Sequence, residues 1–162
     1  MDAEKTIETL QLELQDEILG GAGPFLAAVF KPDGTLVAKA SNSVLRDGCS
    51  NCHAEMNAIR EAERILGTHD LSRYDLSIFV TSEPCIMCAG AIMWSGIRHV
   101  YYGVPSKRVE ELTGFDEGFK PDWIAEFAKR GIEVKGGFAC KAGEDVLAGY
   151  VASGRKVYKP DR

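Results

Sequence analysis

Two short fragments of this 162-residue chain carry residue types that can do chemistry together. One is His53-Ala54-Glu55 and the other is Pro84-Cys85-Ile86-Met87-Cys88. Cys85 and Cys88 are three apart, so on a helix both sulfurs project from one face. Pro84 suits the first position of that helix. Both thiols then lie in its first turn, where the helix dipole favours the thiolate form. His53 adds a ring nitrogen from the start of a second helix. Two thiolates and one imidazole make three ligands for a tetrahedral zinc ion, one per chain. The fourth position stays open to water, which marks a catalytic rather than a structural site. Zinc lowers the pKa of water from ~15.7 toward about 7. Glu55 is then the acid that does not bind the metal and carries protons from water to a leaving group. Residues two apart on a helix do not face the same way. The pocket must therefore lie off the N-terminal end of the helix, with His53 in the first turn.

These fragments need a frame that brings two helix starts together. Ile7, Leu10, Leu14 and Ile18 recur at three- and four-residue steps and predict a helix over 6–19, ended by Gly20-Gly21. Strands are expected at 25–30 and 35–40, joined by Pro32-Asp33-Gly34 as a hairpin. A polar loop follows over 42–51. The stripe Ala54, Ala58, Ile59, Ala62 and Ile65 predicts a helix over 53–66. A strand at 75–81, a helix at 84–94 and a strand at 98–102 come next. The remainder reads as a helix at 121–129 stopped by Gly131, a strand at 132–134 and a helix at 145–152. Strand, helix, strand implies a crossover, so the fourth and fifth strands are expected to be parallel. The order predicts an α/β fold, a three-layer αβα sandwich with helices on both faces of a five-stranded mixed sheet. At this length one domain over 1–162 is expected.

Composition narrows the function classes. There are 19 Lys+Arg against 24 Asp+Glu, a net charge of −5. A nucleic-acid surface wants a basic face, so nucleic acid is not the expected partner, although Arg155, Lys156, Lys159 and Arg162 cluster in the tail. The apolar stretch 85–94 is too short to span a bilayer. The acidic Met1-Asp2-Ala3-Glu4 start is followed by no secretory apolar run. The expected location is the cytoplasm, away from membranes. Five cysteines, an odd number, argue against a disulfide framework. Cys140 reads as an inert buried thiol.

Two rival readings share these residues. Cys49-Ser50-Asn51-Cys52-His53 matches the pattern of covalent haem attachment, but it leaves Glu55, Cys85 and Cys88 unexplained. Cys49, Cys52, Cys85 and Cys88 can also be read as a structural zinc-binding module. The 32 residues between the two pairs exceed the usual ~15–20 spacing of zinc ribbons, and such a site would be closed to water.

His-Ala-Glu and Pro-Cys-x-x-Cys, each opening a helix in this order, are the signature of zinc-dependent nucleobase deaminases. The chain resembles the cytidine/deoxycytidylate deaminase superfamily. The likeness runs through His53-Ala54-Glu55-Met56-Asn57-Ala58-Ile59 and from Thr81 through Cys85, Cys88, Gly90 and Trp94 to Tyr102-Gly103. Within the superfamily it is most similar to the bacterial guanine deaminases. Pro24-Phe25 precedes the first strand, Asn42 ends the second, Trp94 falls where those enzymes carry a Trp, and Gly114-Phe115-Asp116-Glu117-Gly118-Phe119 resembles their Gly-Phe-Asp-Asp-x-Phe loop. The resemblance implies hydrolysis of a free purine base, guanine to xanthine plus ammonia. It implies that Asn42 contacts the base and that Phe25 and Trp94 offer rings to it. Asp116 or Glu117 becomes a second acid, Glu117 standing where the family has Asp. It also implies a homodimer in which a C-terminal aromatic residue, here Tyr158, closes a neighbour's pocket. Cytosine, an aminotriazine and tRNA adenosine are the alternative substrates. Glu83 is expected to be a helix-start residue rather than a catalyst.

Overall fold

A computed structural model describes residues 1–159; Pro160, Asp161 and Arg162, the last of which belongs to the basic tail cluster, lie outside the described residues. Among the described residues, seven α-helices and five strands follow one another as α1 (Ala3–Leu19), β1 (Leu26–Phe30), β2 (Leu36–Ser41), α2 (Val44–Asp47), α3 (Ala54–Leu66), β3 (Ser77–Ser82), α4 (Ile86–Ser95), β4 (His99–Val104), α5 (Ser106–Thr113), α6 (Trp123–Ala128), β5 (Glu133–Gly136) and α7 (Cys140–Ala152). The strands form one sheet in the order β2-β1-β3-β4-β5. β1 runs antiparallel to both β2 and β3, while β3–β4 and β4–β5 are parallel. The expected hairpin and the expected parallel pairing of the last two strands are both present.

Alternation along the central strands explains the layers. Ala27, Val29, Ile78, Val80, Val100 and Tyr102 point to one face, where they pack with Ala58, Ala62, Ile92 and Phe127 from α3, α4 and α6. Leu26, Ala28 and Phe79 point to the other, against Ile7, Leu10 and Leu14 of α1, Val109 of α5 and Leu147 of α7, and Val104 at the end of β4 packs with them out of the alternation. Both faces are covered, so these strands read as unbroken apolar runs rather than alternating ones. Gly103 is where the backbones come closest. A Cβ there would lie 2.4 Å from the Thr81 carbonyl oxygen, so only glycine fits. Gln11 is 2% exposed and donates from Nε2 to that same oxygen at 2.8 Å. The end of β3, which feeds the Cys85 loop, is thus fixed by a buried polar contact from α1.

Several element limits differ from those expected. α1 begins at Ala3 because Asp2 caps it, accepting a hydrogen bond from the Lys5 amide at 3.2 Å. α7 starts at Cys140, earlier than the hydropathy stripe shows. The polar segment over 42–51 contains the single-turn helix α2. Residues Ser106–Thr113, where the hydropathy pattern raises no element, form α5, stopped by Gly114 at φ +71°. Among the described residues, no helix is long and apolar enough to cross a membrane.

Candidate metal centre and its cavity

Parallel strands leave a crevice beyond their C-terminal ends, and the two motifs meet there. Neither His53 nor Cys85 lies inside its helix. Each is the N-cap, with extended backbone at φ −69°, ψ 158° and φ −69°, ψ 170° respectively. Pro84 therefore stands one residue before the cap of α4 rather than at its first position. The correction has a physical consequence. A cap residue with extended backbone turns its side chain off the helix end, so His53 and Cys85 can face each other across the gap between α3 and α4. Cys88, in the first turn of α4, is fully buried.

His53 Nδ1 lies 3.6 Å from Cys85 Sγ and 3.6 Å from Cys88 Sγ. Zinc bonds of about 2.0–2.1 Å to nitrogen and 2.3 Å to sulfur at a tetrahedral angle require a nitrogen–sulfur separation of roughly 3.5 Å. The donor set and its spacing fit zinc. One candidate ligand atom from each of the three residues lies within 4.8 Å of the others.

Electrostatics favour the ligating forms. Cys88 donates its S–H to Cys85, and that hydrogen bond is the main reason the Cys85 thiol titrates at about 4. The same bond pushes Cys88 well above the ordinary thiol range. Burial pulls the His53 imidazole down, but the Cys85 thiolate more than offsets it and the net direction is up. Glu55 is 6% exposed, in the first turn of α3. Burial first, and the nearby Cys85 charge second, push its carboxyl up to about 7. That is the range in which a carboxyl group can both take and give a proton at neutral pH.

The metal group opens into a cavity of about 570 Å³ lined by Phe25, Asn42, His53, Glu55, Cys85, Phe115, Asp116, Glu117 and Tyr158, among others. Its walls are aromatic. Phe115 meets Phe25 edge-on at 5.3 Å and Tyr158 edge-on at 4.8 Å, and the Tyr158 ring lies 6.3 Å from His53. Two polar atoms in this wall, Asn42 Nδ2 and the Tyr158 hydroxyl, are buried without a hydrogen-bond partner among the described residues. Asn42 is 1% exposed and its Oδ1 is already committed to the Val44 amide at 3.2 Å. Unpaired buried polar atoms cost stability, so a wall that keeps two of them is shaped for a ligand. Gly23 makes room for the pair: a Cβ there would meet Asn42 Oδ1 at 2.7 Å and Tyr158 Cε1 at 2.9 Å.

The neighbouring acids of the Gly114–Phe119 loop point different ways. Asp116 is exposed and accepts from the Gly118 amide at 2.9 Å. The Glu117 side chain is 12% exposed, and burial raises its pKa against the pull of Ser106 and Lys120. The structure separates Trp94 from the cavity. It is 83% exposed on α4, two turns beyond Ile86, and is absent from the lining. Cys49 lies on the rim and donates to Asn51 Oδ1 at 2.9 Å, while Cys52 is buried behind it. Among the described residues neither joins the metal group, and both the four-cysteine and the haem readings give way to the histidine-and-two-cysteine set. Tyr158 enters the cavity of its own chain, so no exchange of tails is needed to bring an aromatic ring there.

Ser106 and Gly23 are residues beside the site that motif reading missed, and Glu83, expected as a helix-start residue, instead accepts from the Ser106 amide and the Trp123 indole. Pro105 before Ser106, with Gly114 as a stop, is the signal that marks α5.

The chain matches the family of the cytidine and deoxycytidylate deaminase zinc-binding region over residues 2–104. It belongs to that family. Among curated proteins it is similar to the guanine deaminase of Bacillus subtilis, 38% identical over 100 residues, which are 62% of this chain and 62% of that protein. It is also similar to the tRNA(Ile)-lysidine synthase of Deinococcus radiodurans, 39% identical over 62% of this chain and 17% of that protein. The tRNA-specific adenosine deaminase of Rickettsia typhi is 34% identical over 49% of this chain and 53% of its own length. The chain thus spans less than two thirds of each of these curated relatives. Solved structures match further. The guanine deaminase from Nitrosomonas europaea superposes with a TM-score of 0.86 at 36% identity, over 90% of this chain and 82% of that one. A protein solved in complex with 2,6-diaminopurine gives 0.91 at 36% identity, over 98% and 86%.

Proposed function

We propose that residues 1–162 form one zinc-dependent deaminase domain that hydrolyses the exocyclic amine of a free purine base, guanine to xanthine plus ammonia. The observation that carries this is the cavity wall: three aromatic rings beside two unpaired buried polar atoms, next to a site fit for zinc. Its volume suits a small planar heterocycle. Asn42 Nδ2 offers a donor to a ring acceptor, and Phe25 and Tyr158 offer rings against the base plane. The deaminase of Nitrosomonas europaea and the diaminopurine complex support the same substrate class.

His53, Cys85 and Cys88 would hold one zinc ion per chain, which supplies Lewis acidity and a nucleophilic water at neutral pH. Glu55 takes the proton from the attacking water and passes it to the ring nitrogen beside the amino-bearing carbon. The water oxygen bonds to the amino-bearing carbon, the amine gains a proton from the second acid and leaves as ammonia when the carbon–nitrogen bond breaks, and the proton of the new hydroxyl returns to that acid as the carbonyl forms. Glu117 is the second acid for that step, since its side chain is largely buried at the cavity wall, whereas the Asp116 carboxylate is exposed and turned onto the Gly118 amide. Backbone N–H groups at the paired helix starts favour the negative charge that develops. A cytoplasmic location accords with this chemistry.

The reading is tested by ammonia release from guanine, adenine, cytosine, cytidine, dCMP, an aminotriazine and a tRNA. Guanine is expected to exceed every other substrate at least 100-fold in kcat/KM. Faster release from cytosine or from the tRNA would replace the purine reading with one of those.

A homodimer is part of the same proposal. α4 is apolar almost throughout, and its outer face leaves Ile86 42% and Trp94 83% exposed. Ile86 also lines the cavity, so a second copy seated on α4 would cover the rim. Light scattering should report two chains, and Trp94→Glu should shift the mass toward one. An unchanged monomer mass for both proteins would remove the dimer.

A further inference from the structure

The geometry points to Glu83 and Ser106 as positioning residues that fix Glu117 relative to the metal ligands. This rests on the reading of Glu117 as the acid that protonates the leaving amine. Glu83 sits two residues before Cys85, yet it does not cap α4. Its Oε2 reaches α5, accepting from the Ser106 amide at 2.9 Å, and its Oε1 reaches α6, accepting from the Trp123 indole at 3.1 Å. Both carboxylate oxygens are thereby committed to partners, which argues against Glu83 itself meeting substrate.

Ser106 is 3% exposed and works in two directions. Its amide holds Glu83, and its hydroxyl donates to Glu117 Oε2 at 2.7 Å. Two carboxylates, one from the Cys85 loop and one from the Gly114–Phe119 loop, are clipped to the same residue. The middle of the helix helps through Glu110. Lys120 Nζ lies 3.2 Å from Glu117 Oε2 and 3.0 Å from Glu110 Oε1, so α5 holds the loop at two points. Without the clip, the segment between Gly114 and Gly118, both at positive φ, keeps buried Phe115 as its anchor, and the reach of the Glu117 carboxylate is left to the Lys120 ion pair and a long amide contact to Glu110 at 3.4 Å. Proton transfer falls steeply when donor and acceptor lose alignment, so a side chain that never touches substrate can still govern the rate.

The test uses the full chain loaded with zinc and the best substrate of the ammonia-release panel. Ser106→Ala is expected to lower kcat about tenfold, with KM within twofold and zinc content unchanged. Ser106→Thr, which keeps the hydroxyl, should recover most of the loss. Added to Glu117→Gln, Ser106→Ala should cost nothing further, because the group it positions is already gone. Glu83→Gln can accept only one of the two N–H groups well. It should lower kcat similarly and move the Trp123 indole or Ser106 amide resonance in nitrogen-15 spectra, while the exposed Trp94 indole stays in place. That spectrum reads the clip without substrate and covers the case in which Ser106→Ala fails to fold. The inference is overturned if Ser106→Ala multiplies fully with Glu117→Gln, if Ser106→Thr recovers nothing, or if the resonances do not move. Wild-type turnover by Glu117→Gln also overturns it, by removing the second-acid role, whereas a different preferred base in the panel would overturn only guanine as the substrate.

Discussion

Glu55→Gln should bind zinc as the wild type does and turn guanine over about 10³-fold more slowly, in line with the 10²–10⁴ that a positioned general acid–base supplies. The two halves of that result separate the role from its surroundings. Glutamine has the same shape but cannot accept a proton and hand it on. His53, Cys85 and Cys88 keep their mutual distances, so metal analysis should still find the ion. Turnover within tenfold of wild type would end the assignment. The same substitution has a second consequence of opposite sign. In the metal-stripped protein Glu55 titrates at about 7, against an ordinary value of 4.5. A carboxyl whose pKa is raised on folding stabilises the fold while it is protonated, and this is lost as pH rises through the folded value. Well above pH 7 the ionised, buried group therefore costs on the order of 3 kcal/mol. Glutamine stays neutral throughout. Metal-stripped Glu55→Gln should resist urea better than metal-stripped wild type at pH 8, with the gap closing toward pH 4.5. Equal midpoints at both pH values would contradict this account of the carboxyl. An acid kept at a site where it destabilises the empty fold is what a working proton carrier looks like.

The grouping of His53, Cys85 and Cys88 was legible in the sequence, for a physical reason. Ligand spacing is fixed by bond lengths, so His53, Glu55, Cys85 and Cys88 must appear in one pattern relative to two helix starts. Central strands were legible because burial on both faces demands runs such as Leu26–Val29 and Ile78–Val80. α5 was not. Its eight residues carry only Val109 and Leu112 as apolar groups, and beside Val109 it buries the polar Ser106 and Thr113. A helix that earns its place by holding carboxylates leaves almost no hydropathy signal. Trp94 fails for a different reason. Spacing places it on α4 but says nothing of which face meets the cavity, and the resemblance supplied an orientation that the packing does not share. Asp116 and Glu117 are neighbours on a loop, where no periodicity distinguishes inward from outward. The left-handed glycines on either side decide it, by turning the loop so that Asp116 closes onto Gly118 while Glu117 meets Ser106.

Cys85→Ala should lose the metal altogether and bring the loaded protein down to the stability of the stripped one. The thiol is the more acidic of the pair, at about 4, because Cys88 donates to it. Removing it takes away a ligand and also the acceptor that holds the Cys88 proton. Two donors remain, one imidazole and one thiol, which is too few for tight zinc binding. After dialysis the variant should hold less than about a tenth of the wild-type zinc, given that even outer-sphere changes cost 10–100-fold in affinity. An ion present at about 1,000 times its dissociation constant stabilises the folded state by roughly 4 kcal/mol, and at this chain length each kcal/mol moves Tm by about 2–4 °C. Wild type should therefore melt about 8–16 °C above Cys85→Ala in zinc, and the gap should shrink to a few degrees in chelator. The pH behaviour gives an independent check. Cys88 holds its proton well above the usual thiol range in the empty site, so zinc uptake must expel it. Calorimetric titrations in two buffers of different ionisation heat should show a proton released per ion bound by wild type, with apparent affinity falling as pH falls. Wild-type zinc content in Cys85→Ala, or binding without proton release, would mean that the ion is held by other side chains than the histidine and two cysteines that the geometry brings together.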